Sequence, residues 1–124
     1  MTGYRAAVIS ARAIASFQSA YYVSTGLWAI VHRGSFERVT GQKQDYWLVR
    51  TVGGLAVAIG VTLGASAAAE RRSRDAAVLG ITSGLAFGFA DLQAATAASR
   101  IYLGDAALHA LLVSAWLAAR RAAA

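Results

Sequence analysis

The chain has 124 residues, of which 57% are hydrophobic and 15% are charged, and its net charge is +6. This charged fraction lies well below the roughly one quarter that is typical of water-soluble domains. The absence of cysteine excludes disulfides, thiolate metal sites and a cysteine nucleophile. The basic residues lie mainly at the ends of apolar segments, as in membrane proteins, so we expect no nucleic-acid partner.

The first apolar segment, residues 6–31, is too long for a signal-peptide core and predicts an uncleaved membrane span. Arg12 is expected to extend from it to the near membrane surface. Polar residues of this region share one helical face at spacings of four, three and seven: Gln18, Tyr22, Thr25 and His32. This face either packs against other helices with its hydrogen bonds satisfied or lines a path for a ligand or a proton.

Two polar connections separate the first three spans. Residues 32–47 predict a loop with turns at Gly34 and Gly41. Residues 70–75, with the sequence ERRSRD, predict a tight and strongly basic connection.

The second span is predicted at residues 48–69. It carries a seam of small residues, Gly53, Gly60 and Gly64, which lets another helix backbone approach closely. Gly60 and Gly64 form a GxxxG pair. Arg50 lies on the same seam. It either anchors the helix at the membrane surface or points inward and pairs with Asp91.

The third span, residues 76–98, is the segment on which the functional prediction depends. Gly80, Gly84 and Gly88 recur every four residues and form one stripe for helix packing. Asp91 continues this stripe, so its carboxylate is expected to face other helices rather than lipid. An acid within hydrocarbon is costly, and it usually faces the bundle interior or a wet cavity.

The fourth span, residues 103–119, places Asp105 and His109 one helical turn apart, where they can form a hydrogen bond. Asp105 is alternatively only an acid of the first helical turn. His109 is either a satisfied interior histidine or a group that holds a proton or orients a ligand.

These segments predict an all-α fold, a single-domain transmembrane four-helix bundle with up-down-up-down topology. Seven basic residues fall on the side of the termini and five on the opposite side. The positive-inside bias therefore predicts that both termini are cytoplasmic.

The polar residues concentrate in the non-cytoplasmic half of the predicted bundle. We expect a ligand-binding cluster there, formed by Gln18, Tyr22, Thr25, His32, Arg50, Asp91, Asp105 and His109. Asp91 and His109 are the candidates for acid–base catalysis. Because the chain has no histidine or carboxylate–histidine repeat and no soluble-enzyme motif, we expect no metal and no cofactor.

Three segments, YYVSTGLWAI, SFERVTGQKQDYWLVRTVGGLAVAIG and YLGDAALHALLVSAW, resemble small bacterial four-helix membrane proteins of the DoxX-like kind. The resemblance covers most of the chain. It implies a four-helix bundle in the bacterial inner membrane, and it transfers no catalytic residue. The wider superfamily is similar in layout to bundles that hold apolar ligands beside buried acids.

Three functional hypotheses follow. The first is a binding or accessory membrane protein that holds a lipid-like or quinone-like ligand, or a partner helix, beside the polar cluster. The second is a membrane enzyme that uses Asp91 and His109 as acid and base on an apolar substrate. The third is a small transporter that works as a homodimer, with Asp91 facing the dimer axis.

Overall fold

The computed structural model describes residues 2–69 and 73–122, and it confirms the prediction of an all-helical chain. The described residues form five helices and no strand: α1 (Thr2–Val31), α2 (Arg33–Thr40), α3 (Tyr46–Ala68), α4 (Arg74–Ala97) and α5 (Ile101–Ala122). The four long helices begin and end within a few residues of the predicted spans, except at the start of α1.

Three of these helices are long and apolar enough to cross a membrane: Tyr46–Ala68, Arg74–Ala97 and Ile101–Arg121. Helix α1 is long enough but is not among them, because its polar residues Gln18, Tyr21 and Tyr22 lower its apolar character. The described residues therefore hold three candidate spans, where the sequence predicted four.

Helices α1 and α3 are antiparallel, and glycines form the contact between them. A Cβ atom on Gly26 would lie 2.5 Å from the carbonyl oxygen of Gly53, and one on Gly60 would lie 3.0 Å from that of Ser19. Because only hydrogen fits at such distances, these glycines bring the two backbones into direct contact.

Helices α4 and α5 are also antiparallel, and glycines again lie at their contact. Added Cβ atoms on Gly80 and Gly84 would meet the side chains of Trp116 and Val113 at 2.3 and 2.8 Å. One turn further along, a Cβ on Gly88 would lie 3.4 Å from Cβ of His109. The glycine stripe of α4 therefore faces α5.

The two helix pairs meet in a hydrophobic core near the connection between α3 and α4. This core consists of Ala15, Leu63, Ala67, Ala76, Ala77 and Trp116. Arg12 is near the same end, and its Nε donates a hydrogen bond of 3.0 Å to the carbonyl oxygen of Ala67 rather than only extending outward. The basic connection was predicted at residues 70–75, of which Glu70, Arg71 and Arg72 lie outside the described residues.

Residues 32–47 are not the simple loop that the sequence predicted, because helix α2 occupies half of this stretch. His32 caps its N-terminus, since Nδ1 accepts a 3.1 Å hydrogen bond from the backbone N–H of Ser35. Phe36 packs edge-on against the rings of Trp28 and Tyr46, which holds α2 against α1 and α3.

Gly41 ends α2 and brings it to the far end of α4. Its φ of +93° favours glycine, and a Cβ there would lie 3.3 Å from the carbonyl oxygen of Ala98. Lys43 completes the cap, because its Nζ donates 2.7 Å hydrogen bonds to the carbonyl oxygens of Thr40 and Gly41. Helix α2 thus bridges one end of the bundle.

We predict that Gly26→Ala destabilises the protein by about 1–3 kcal/mol, because its new methyl group meets a backbone atom that cannot move aside. Gly54→Ala is the matched control, since a Cβ at Gly54 has no neighbour within 4 Å. It should be neutral or slightly stabilising. Unfolding by sodium dodecyl sulfate in mixed micelles, followed by circular dichroism, measures both changes. Equal stabilities would contradict the backbone contact.

We predict that acid loosens α2 and the turn that follows it. The backbone N–H of Lys43 and the side chain of Arg33 bind the carboxylate of Glu37 at 2.7 and 2.5 Å and lower its pKa. Because the folded-state pKa lies below the unfolded-state value of about 4.3, the stabilisation is complete above that value. It is lost as the pH falls through the folded-state pKa.

Fluorine NMR of 5-fluorotryptophan at Trp28 can follow this loosening, because Trp28 Nε1 donates a 2.8 Å hydrogen bond to Ser35 of α2. Glu37→Gln should remove the acid transition of this signal. Asp45→Asn, at an exposed carboxylate without a capping bond, should keep it. A transition that survives in Glu37→Gln would show that another group controls α2.

Candidate functional site

Two carboxylates and one imidazole converge between α4 and α5. Nε2 of His109 lies 3.6 Å from Oδ2 of Asp91 and 3.6 Å from Oδ1 of Asp105. Asp91 and His109 are buried, and Asp105 is half-buried. Asp91 is therefore enclosed by the bundle, as the sequence stripe predicted, and we name these three residues the acid–imidazole cluster.

The helix register explains why these three residues meet. Asp105 and His109 are one turn apart on α5, so their side chains share a face. Because Gly88 packs against His109, the next turn of α4 brings Asp91 beside both groups. Only the pairing of α4 with α5 assembles the acid–imidazole cluster.

Tyr21 is a member of the site that the sequence analysis missed. Its hydroxyl donates a hydrogen bond to Oδ1 of Asp105, and its ring stands edge-on to His109. A signal for it was present, because Tyr21 lies three residues after Gln18 and four before Thr25, on the same predicted polar face.

A cavity of about 390 Å³ extends from the acid–imidazole cluster to the underside of α2. Most of its wall is apolar or aromatic, with side chains such as Phe36, Val49, Ala56 and Phe87. Its polar groups gather at the cluster and, near α2, at Thr40 and Lys43. The volume falls in the range of pockets that hold small organic ligands.

One wall of the cavity is also reached from outside the bundle. Leu48 and Val52 of α3 line the cavity, although 46% and 51% of their surfaces are exposed. Across the cavity, Ile101 of α5 is likewise half-exposed. These lining side chains are therefore also accessible from outside the bundle.

The structure brings together five of the eight predicted ligand-binding residues at this cavity. Its lining includes Tyr22, Thr25, Asp91, Asp105 and His109. Thr25 uses its hydroxyl within α1, where it donates a 2.8 Å hydrogen bond to the carbonyl oxygen of Tyr21.

The other three predicted residues do not line it. His32 is exposed and caps α2, because α1 ends one residue earlier and its polar face does not continue. Arg50 is exposed on α3, and among residues 2–69 and 73–122 no ion pair joins it to Asp91. The inward pairing of Arg50 is therefore not seen.

Gln18 belongs to a separate buried network one turn further into the bundle. Its Nε2 donates to Tyr22 Oη at 2.9 Å and to the carbonyl oxygen of Gly80 at 3.1 Å. Its Oε1 accepts a 2.8 Å hydrogen bond from Nε1 of Trp116. Tyr22 in turn shares a hydrogen bond with Ser83. This network joins α1, α4 and α5 and satisfies the Gln18 amide.

The acid–imidazole cluster, in contrast, is incompletely paired. Oδ2 of Asp91 and Nδ1 of His109 are buried and have no hydrogen-bond partner among the described residues. One donor atom from each of Asp91, Asp105 and His109 lies within 4.8 Å of the others, close enough to share a metal ion. The sequence analysis expected no metal because no spacing along the chain indicated these ligands.

No protein-family model, curated protein or solved structure matches the chain. The resemblance to DoxX-like membrane proteins therefore stays a prediction.

We predict that Gln18→Leu destabilises the bundle by about 1–3 kcal/mol, because it leaves the buried Trp116 indole N–H without its partner. Gln93→Leu, at an exposed position of α4, is the control and should be neutral. The same detergent unfolding measurement tests both variants. An unchanged midpoint for Gln18→Leu would show that the network contributes little.

Proposed function

We propose that this chain is a small four-span integral membrane protein that binds an amphiphilic ligand in the cavity beneath α2. The observation that carries the proposal is the cavity itself, an apolar chamber that ends at a partly unpaired acid–imidazole cluster. An apolar body would fill the chamber, and a head group with hydrogen-bonding oxygens would reach Asp91 and His109. Lipid-like and quinone-like molecules have this chemistry.

The surface of the helices supports a membrane location. Large apolar side chains project outward from three helices, including Val61 of α3, Phe89 of α4 and Leu111 of α5, each more than half exposed. In this proposal α1 is the fourth span. Its buried face supplies Gln18 and Tyr22 to the interior, which accounts for its less apolar composition.

The distribution of charge supports an orientation with both termini in the cytoplasm. Arg12, Arg120 and Arg121 lie at the end of the bundle opposite α2. The positive-inside rule places this end in the cytoplasm and the cavity in the outer half of the membrane. The resemblance in the sequence favours the bacterial inner membrane.

The size of the cavity favours a small ligand over a partner helix. A cavity of about 390 Å³ lies in the range of pockets that hold small organic ligands. In this proposal the tail of an amphiphile extends past the half-exposed Leu48 and Val52 into surrounding lipid.

A membrane enzyme is the second candidate, favoured by the 3.6 Å separation of Asp91 Oδ2 and His109 Nε2 at the cavity. Both groups can reach one atom of a bound substrate. A dimeric transporter has less support, because Asp91 is enclosed within one chain by α4 and α5 and does not face an outer surface.

We predict that the protein binds a short-chain ubiquinone analogue, and that Ala56→Leu weakens this binding. Ala56 is buried in the cavity wall, so the larger side chain occupies ligand space at a cost of about 1–3 kcal/mol, or roughly 5–150-fold in affinity. Quenching of Trp28, which lines the cavity, reports binding. Ala58→Leu, exposed on the same helix, is the matched control.

Native mass spectrometry of protein purified from its membranes, and after addition of a lysophospholipid, identifies other amphiphiles. Binding that Ala56→Leu and Ala58→Leu affect equally, or no bound amphiphile of any kind, would overturn the proposal. A bound amphiphile whose mass changes on incubation with wild type but not with Asp91→Asn would instead establish the enzyme.

A further inference from the structure

We propose that Asp91, Asp105 and His109 form a binding site for a first-row divalent cation, with Zn²⁺ as the best match. Each residue offers one donor atom, and these atoms lie within 4.8 Å of one another. Two carboxylate oxygens and one imidazole nitrogen are established ligands of such ions.

The spacing of the donors supports an ion between them. Nε2 of His109 is 3.6 Å from an oxygen of each aspartate, which is too far for a good hydrogen bond. With metal–ligand distances of about 2.0–2.1 Å, neighbouring ligands of a tetrahedral zinc ion lie roughly 3.3–3.4 Å apart. The two separations from His109 Nε2 need to shorten by only a few tenths of an ångström to match this geometry.

The burial of the cluster supports the same conclusion independently. Asp91 is 7% exposed, and its Oδ2 has no hydrogen-bond partner among the described residues, although it points at His109. A buried carboxylate is retained when it is paired or when it coordinates a metal. Coordination of a metal ion would therefore account for the unpaired oxygen of Asp91.

The charges of the site also match a divalent ion. Metal ligands are deprotonated, and with both carboxylates in that form and the imidazole neutral the three groups sum to −2, which one divalent cation neutralises. No arginine or lysine serves as an alternative counter-charge, because within the described residues Arg50 forms no ion pair with the cluster. Lys43, the cation that lines the cavity, has its Nζ bound to the carbonyl oxygens of Thr40 and Gly41.

Tyr21 is placed to hydrogen-bond to a metal ligand without binding the ion itself. Its hydroxyl donates a hydrogen bond to Oδ1 of Asp105 and so orients the carboxylate. Three protein ligands leave the fourth tetrahedral position free, and the three residues all line the cavity. That position is open to the oxygen of a ligand head group, and this last step alone rests on the proposed function.

Isothermal titration of ZnCl₂ into protein without a polyhistidine tag, after treatment with EDTA, tests the site. We expect one ion per chain. Loss of a residue that hydrogen-bonds to a metal ligand commonly weakens metal affinity by about 10–100-fold. We expect Tyr21→Phe to weaken Zn²⁺ affinity by a factor in that range. Asp91→Asn, Asp105→Asn and His109→Gln each remove a ligand and should weaken affinity by more than about 100-fold.

Two variants are matched controls. His32→Asn removes the other histidine yet keeps a side chain that can cap α2, and Asp45→Asn removes an exposed carboxylate. Both should bind Zn²⁺ as wild type does. No saturable binding to wild type, or binding that the three ligand variants leave unchanged, would overturn the proposal.

Two further readouts remain informative if a ligand variant does not fold. Wild-type protein with CoCl₂ should show the visible absorption of a tetrahedral cobalt site, and its thermal midpoint should rise with ZnCl₂. Absence of both overturns the proposal. Because amphiphile binding is measured separately on EDTA-treated protein, the absence of any bound amphiphile together with intact Zn²⁺ binding overturns only the proposed function.

Discussion

The close packing of α4 on α5 is the constraint on which the site depends. Gly80 and Gly84 remove the side chains that would hold these helices apart, so Trp116 and Val113 fill the space. One turn beyond, the same register carries Asp91 to His109, inside the bundle rather than on its outer surface. A carboxylate in a low-dielectric interior requires a partner, and α5 supplies two candidate groups at that depth.

The bundle is tightly packed at one end and open at the other, and this asymmetry creates the cavity. Near the α3–α4 connection, small residues and Trp116 fill the interior, and Gln18 ties three helices together with satisfied hydrogen bonds. At the opposite end, α2 bridges the helices and leaves space below it. The resulting chamber has apolar walls and one polar end, and the proposal of an amphiphilic ligand rests on this combination.

Periodicity predicted the helices and the burial of Asp91 well, because both depend on residues close together in the chain. It predicted Tyr22, Thr25, Asp105 and His109 at the site for the same reason. It misplaced His32 and Arg50, since a shared face on a helix says nothing about where that helix ends or which neighbour is present. Tyr21 was missed although it completes the i, i+3, i+4, i+7 pattern of Gln18, Tyr22 and Thr25.

The amino-acid sequence by itself determined the helical class, the apolar segments and the stripe that turns Asp91 inward, because helical periodicity and hydropathy are local properties. Only the tertiary structure decided that Asp91, Asp105 and His109 form one cluster and that a cavity lies between this cluster and α2. It also decided that Gln18 belongs to a different hydrogen-bond network. These arrangements depend on the register between helices. That register is set by contacts between glycines and side chains that are distant in the chain.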